Sequence, residues 1–209
     1  MKRILAVAVH PDDETLGCGG TLLRFREQGA SVHWLILTAM HTRENGDFLT
    51  VKGDGQTAVW EDTGVVPAAF SREQVERRAV EIKSVSEAYA FASRHELGFP
   101  AMCLDQLPMG SMIEKISGVM HAVKPDTVIL PCGFDVHSDH RVAFEAAYSC
   151  TKNFRYPFIR KILVMEIPSE TDFSSGMGGR VFVPNLFVDI GGFMDEKLLF
   201  PMWNVPVLR

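Results

Sequence analysis

Two short runs concentrate the side chains able to do chemistry: His10-Pro11-Asp12-Asp13-Glu14 and His137-Ser138-Asp139-His140. Imidazole nitrogens and carboxylate oxygens are the usual ligands of zinc and related divalent cations. Asp12 and Asp13 are adjacent, and that is unusual. A helix start needs one carboxylate to satisfy its free N–H groups. Two side by side repel, a cost that a bound cation removes by neutralising one of them. Two His nitrogens and one Asp oxygen, with a position open for water, form the ligand set of a catalytic zinc. Without a thiolate among them, a closed structural site is not expected. The plainer reading, an acidic helix start and a surface loop that carries two histidines, leaves His10 and the second carboxylate without a role.

The elements that must position these runs follow from the hydrophobic pattern. Residues 4–9 form a short aliphatic run without interruption, as in a strand buried on both faces. A helix is expected over 14–28, ended by Gly29, then a strand over 31–38 centred on Trp34-Leu35-Ile36-Leu37. A long polar segment from 39 to 71 reads as a functional or mobile loop. Helices are expected over 72–94, 112–123 and 141–151, and strands over 96–104, 126–132, 161–166 and 181–189. Strand and helix alternate, which predicts an α/β fold with a mostly parallel sheet and helices on both faces. In such sheets ligands bind beyond the carboxyl ends of the strands, where the strand order reverses. The first run follows strand one and the second follows strand four, neighbours at that reversal. The fold therefore brings His10, Asp13, His137 and His140 into one crevice. His41 and Arg43 follow the second strand and are placed to reach it. His33, His95 and His121 stand isolated and read as structural or solvated.

Composition narrows the function further. The chain has 209 residues, 46% hydrophobic and 22% charged, in keeping with a single globular domain over 1–209. A net charge of -5 without a basic cluster argues against nucleic-acid binding. No segment approaches membrane-spanning length, and the apolar run after Met1-Lys2-Arg3 is too short for a signal peptide. Cys18, Cys103, Cys132 and Cys150 are scattered and read as reduced thiols of a cytoplasmic protein. Gly17-Cys18-Gly19-Gly20 lacks the spacing of a dinucleotide-binding turn and reads as close packing of helix on sheet. Ser138 has no nucleophile elbow around it. Residues 198–209 are apolar and interrupted by Pro201 and Pro206, so they must fold back on the core or pack on a second subunit, which suggests a homo-oligomer.

Taken together, the His-Pro-Asp-Asp-Glu run after the first strand and the His-x-Asp-His run after a later one resemble the PIG-L/LmbE-like zinc-dependent N-acetylglucosaminyl deacetylases. Asp135-Val136 before the second run, Arg141 after it, Arg78-x-x-Glu81 and the stretch 182–189 extend the likeness over most of the chain. The resemblance implies a Rossmann-like fold with its metal site at the C-terminal strand ends. It implies zinc held by His10, Asp13 and His140, with iron(II) as the other metal such ligands accept. Asp12 would be the general base and His137, protonated, the group facing the oxyanion. Arg78 would contact substrate. Apart from the resemblance, Asp139 is placed to orient a flanking histidine, as carboxylates behind ligands do, and Arg43, after the second strand, is a further candidate substrate contact. The implied activity is a cytoplasmic hydrolase that removes acetate from an N-acetylated sugar or glycoconjugate by an activated water. The alternatives are a zinc amidase for a larger acyl or thiol-sugar conjugate and a catalytically impaired, metal-dependent sugar-binding protein. This chain departs from the family pattern at Thr38-Ala39-Met40, where Asp-Gly is common, and in its altered closing segment.

Overall fold

The computed structural model describes residues 2–61, 64–174 and 181–198. In chain order, β1 (Arg3–Ala8) leads through a tight turn and one π-helical turn (Glu14–Cys18) into α1 (Gly19–Glu27). Then come β2 (Ser31–Ala39), β3 (His41–Glu44), β4 (Asp47–Val51), β5 (Thr57–Val59) and β6 (Ala69–Phe70). After these lie α2 (Arg72–Ala88), β7 (Ser93–Pro100), α3 (Met109–Val123), β8 (Thr127–Leu130), α4 (Ser138–Ser149), β9 (Lys161–Val164) and α5 (Met194–Leu198).

The main sheet has the order β7-β2-β1-β8-β9. Each pairing in it is parallel. This is an α/β fold of the doubly wound kind, and the order reverses between β1 and β8. Successive side chains of a strand point to opposite faces. Leu5, Val7 and Val9 accordingly join Leu35, Leu37 and Val128 under α3 and α4, where Met112, Ile116, Met120 and Ala143 pack on them. Ile4, Ala6 and Ala8 join Trp34 and Ile36 on the other face, under Leu22 and Leu23 of α1 and Ile82 and Val85 of α2. An uninterrupted apolar run is what a strand covered on both faces requires. α2 begins at a capping box, with the Ser71 hydroxyl accepting from the Gln74 N–H and the Gln74 side chain accepting from the Ser71 N–H.

Three expectations are corrected. Residues 39–71 are not simply a loop: they hold a second sheet, β5-β4-β3-β6. Its β3–β4 hairpin turns at Asn45-Gly46, both with positive φ (52° and 96°), the conformation that Asn-Gly favours. The helix expected over 72–94 stops at Ala88, because Ser93 to Pro100 pair with β2 as strand β7. Residues 181–189 form no strand; Val183 and Phe187 are 76% and 81% exposed. The apolar tail from 199 to 209 lies outside the described residues. Among the described residues, no helix is long and apolar enough to cross a membrane. The four cysteines are free and buried.

The glycines after the first run are packing residues. A Cβ at Gly17 would press on Met165 and the Glu166 carbonyl, one at Gly20 on Ile190, and one at Gly19 would meet the Tyr89 hydroxyl. Tyr89 is buried and stacked on Phe91 at 5.1 Å, so its ring has little room to retreat. Gly19→Ala should therefore destabilise the fold by about 1–3 kcal/mol. A lower midpoint of urea unfolding at unchanged slope would show it.

Candidate metal centre and active site

The sheet delivers both runs to one place. β1 and β8 are neighbours, so the turn after β1 and the 131–137 loop after β8 face each other at the carboxyl edge. His10 Nδ1 lies 3.2 Å from His140 Nε2, and His140 Nε2 lies 3.4 Å from Asp13 Oδ2. Asp13 is fixed by its own strand end: its Oδ2 accepts the N–H groups of Val9 (2.8 Å) and His10 (2.9 Å).

Proton placement follows from the outer partners. His140 Nδ1 lies 3.1 Å from Asp135 Oδ2, and His10 Nε2 lies 3.4 Å from Asp139 Oδ2. With the imidazole protons assigned toward those carboxylates, Nε2 of His140 and Nδ1 of His10 face each other as lone pairs. Two lone pairs and a carboxylate oxygen crowded together repel unless a cation or protons sit among them. In the metal-free cluster protons do so. For His10, burial opposes the charge, but the Asp139 hydrogen bond and the charges of Asp13, Asp12 and Asp139 outweigh it and push the pKa up to about 9. His140 is also raised: burial opposes the charge, and the Asp135 hydrogen bond and Asp13 charge favour it.

The spacing suits a small divalent cation. Tetrahedral ligands with bonds of about 2.0–2.1 Å are separated by about 3.3 Å. The two observed separations, 3.2 and 3.4 Å, bracket that value. By distance alone the cluster is the three histidines, since nitrogens of His10, His137 and His140 all lie within 4.8 Å of one another. The hydrogen bonding of His137 argues otherwise. His137 caps α4, and its Nδ1 accepts the Asp139 backbone N–H at 3.1 Å. The proton of the neutral ring therefore sits on Nε2, a donor rather than a ligand. Burial first, then the neighbouring His10 and His140, lower the His137 pKa, so the ring is neutral at pH 7 rather than the charged group the sequence suggests.

Asp12 sits half-buried beside this cluster. Burial and then the Asp13 charge raise its pKa, while His10, Arg78 and His140 pull it down. Arg78 of α2 thus stands within electrostatic reach of Asp12. It pairs with Glu81 at 3.3 Å and lines a cleft with Pro11, Thr38 and Met40. Arg43 lies exposed on β3 with its guanidinium 5.6 Å from the centre of the Phe48 ring, and no contact joins it to the cluster among the described residues. His41 is buried and packs edge-on against Trp60 at 5.8 Å. Asp139 reaches further than expected: it also accepts the N–H groups of Met102 (2.6 Å) and Leu104 (3.2 Å), tying the segment after β7 to the start of α4.

Asp135, to which the sequence assigns no role beyond extending the likeness, has a large structural one. Besides facing His140, it accepts from the His137 N–H (3.0 Å) and the Thr171 hydroxyl (2.8 Å). Arg141 closes the loop by donating to the Asp135 and Val136 carbonyls. Only its place two residues before His137 hints at this in the sequence. A carboxylate behind a ligand histidine fixes the ring and its tautomer. Asp135→Asn is expected to weaken the binding of a divalent metal at this cluster by about 10- to 100-fold while preserving the fold, measurable by competition with a chelator.

With that geometry in place, the comparisons with known proteins decide the family. The PIG-L family profile, described as GlcNAc-PI de-N-acetylase, matches residues 5–151. The chain belongs to the PIG-L family. It is 28% identical over 203 residues to the diacetylchitobiose deacetylase of Thermococcus kodakarensis, covering 95% of this chain and 67% of that one. The chain thus spans about two thirds of the length of that relative. Among solved structures, the conserved protein TT1542 of Thermus thermophilus superposes with a TM-score of 0.63 at 25% identity, covering 94% of this chain and 76% of that one. The 4-carboxy-2-hydroxymuconate hydratase GalB of Pseudomonas putida superposes at 0.59 with 18% identity, over 94% of this chain and 76% of that one, and shares the fold alone.

Proposed function

We propose that this PIG-L protein is a zinc-dependent N-deacetylase acting on an N-acetylated sugar or glycoconjugate. The observation that carries the reading is His140 Nε2 lying 3.2 Å from His10 Nδ1 and 3.4 Å from Asp13 Oδ2, with a second carboxylate, Asp12, one residue before Asp13. His10, Asp13 and His140 would hold the cation, with iron(II) able to replace zinc on the same donors. The ion would supply Lewis acidity, lowering the pKa of a water and polarising the acyl carbonyl.

The remaining steps belong to the chain's own groups. Asp12 takes the proton of the attacking water. Burial and the Asp13 charge raise its pKa, which makes it a stronger base than a free carboxylate. His137, held by its capping bond as the Nε2–H tautomer, donates that hydrogen to the oxygen on which charge develops. Asp139 keeps His10 turned, and Asp135 keeps His140 turned, so both lone pairs stay aimed inward. Asp12 then returns its proton to the departing amine nitrogen. Arg78, whose charge acts on Asp12, would contact the sugar.

The relatives' names support the reaction class: the Thermococcus protein is a diacetylchitobiose deacetylase, and two Rhodococcus proteins that match over 37 residues are deacetylases of a myo-inositol acetamido-glucoside. Acetate release from a panel of N-acetyl sugars and N-acetylglucosamine conjugates, with zinc added and with zinc chelated, tests the proposal. Release that depends on zinc is expected. Turnover that persists after full chelation, or no release across the panel by zinc-loaded protein, would overturn it.

A further inference from the structure

A second polar cluster lies at the opposite end of the sheet from the metal centre. Ser31-x-His33 on β2 and Ser93-x-His95 on β7 repeat one pattern, and the spacing of two residues puts each pair on one face of its strand. Strand register sets His33 beside Ser93 and Arg3 beside Ser31. The side chains join into one line. Ser31 Oγ is 3.1 Å from His33 Nε2, His33 Nδ1 is 2.7 Å from Ser93 Oγ, and Ser93 Oγ is 2.8 Å from His95 Nε2. These histidines are therefore not the isolated residues the sequence suggests.

Arg3, Ser31, His33, Ser93 and His95, with Ala122 and Val123 from the end of α3, line an open cavity of about 590 Å3. That volume is in the range of small-molecule sites. Among the described residues the lining contains no carboxylate, although the chain carries 26 acidic against 21 basic residues. Asp126 lies nearby but is engaged, accepting the Arg3 backbone N–H at 2.8 Å and the Thr127 hydroxyl at 2.9 Å. A sheet face that needed only wetting would accept polar residues of either sign. This one presents a guanidinium, two hydroxyls and two imidazoles, all of them able to donate.

We propose that this cavity binds a tetrahedral oxyanion, either free or as the phosphoryl group of a small metabolite, through Arg3, the Ser31 and Ser93 hydroxyls and His33 and His95. The guanidinium supplies paired N–H donors suited to phosphate or sulfate oxygens. Protonated imidazoles would supply the remaining charge. His33 and His95 are neutral at pH 7 in the empty cavity: burial lowers both, and for His33 the neighbouring His95 and Arg3 lower it further. The ionisable groups lining the cavity are Arg3 from β1, His33 from β2 and His95 from β7, and α3 adds none. Binding must therefore draw in protons, and affinity rises as the pH falls. The site stands apart from the deacetylase reading and does not depend on it.

Sulfate is the probe, because its charge is constant across the range. It is titrated into the intact protein between pH 6 and 8, against chloride at equal ionic strength. Heat of binding and the ring C–H resonances of His33 and His95 are followed. The expected result is saturable binding that tightens by about tenfold per pH unit, between pH 8 and 7, for each proton taken up. Arg3→Gln, at an exposed position, should weaken it about tenfold or more. Ser93→Ala should uncouple the two histidine resonances from each other. The His10→Ala/His140→Ala protein should bind sulfate as the wild type does. Comparing inorganic phosphate with glycerol 3-phosphate separates the sources: tighter binding of the ester points to a metabolite, equal or weaker binding to the free ion. Histidine resonances that sulfate leaves unmoved, wild-type affinity in Arg3→Gln, or loss of binding with the metal-ligand variant would each overturn the proposal.

Discussion

Asp12→Asn is expected to lower turnover by about 100-fold or more while leaving bound metal unchanged. The asymmetry between the two adjacent carboxylates is the reason. Asp13 Oδ2 is committed to the N–H groups of Val9 and His10 and faces His140, so Asp13 holds geometry. Among the described residues, Asp12 has only its backbone tied into the turn, through an N–H bond to the His10 carbonyl at 2.9 Å and a carbonyl accepting from Thr15 and Leu16. Its side chain is left to exchange a proton. Asparagine keeps the shape and removes that capacity, so substrate affinity should change far less than turnover. Metal analysis and acetate-release kinetics on the same preparation check this. If Asp12→Asn loses metal and Asp13→Asn keeps it, the two roles are reversed.

The parts of the molecule that could be read in advance are those where one-dimensional pattern and three-dimensional burial coincide. Residues 4–9 are apolar because both faces of β1 are covered, and the adjacency of β1 and β8 follows from how parallel sheets wind. His10 and His140, 130 residues apart, could thus be brought together from the sequence. The second sheet was hidden for the opposite reason. β3 is short and polar and β5 has only three residues, with Thr57 and Val59 exposed, so both form by pairing with neighbours rather than by burying a run of their own. The Asn45-Gly46 turn was the available signal. Residues 181–189 are the converse case, apolar enough for a strand yet lying on the surface without one. Asp135 is a tertiary feature, since nothing local shows that its carboxylate points back at His140. The two Ser-x-His pairs were visible, but their meeting depends on the β2–β7 register.

Removing His10 and His140 together should abolish high-affinity metal binding. Each contributes a lone pair that faces the other at 3.2 Å, and loss of both leaves Asp13 as a single anionic ligand. The expected zinc content of His10→Ala/His140→Ala falls from near one equivalent to background, with acetate release lost in parallel. Asp13→Asn should lie between, since a neutral amide is a weaker ligand than a carboxylate for a dication but leaves both imidazoles in place. Binding to the intact protein should also depend on pH in a set direction. Ligands must be deprotonated to bind, and His10 in the metal-free cluster holds its proton up to about pH 9. Zinc must displace that proton, so affinity increases as the pH rises from 6 toward 9, and each ion bound releases acid. Calorimetry in buffers of different ionisation enthalpy measures the release directly. Retention of one equivalent of zinc by the double variant, with the fold intact, would place the metal on other residues and detach Asp12 and His137 from the roles argued for them.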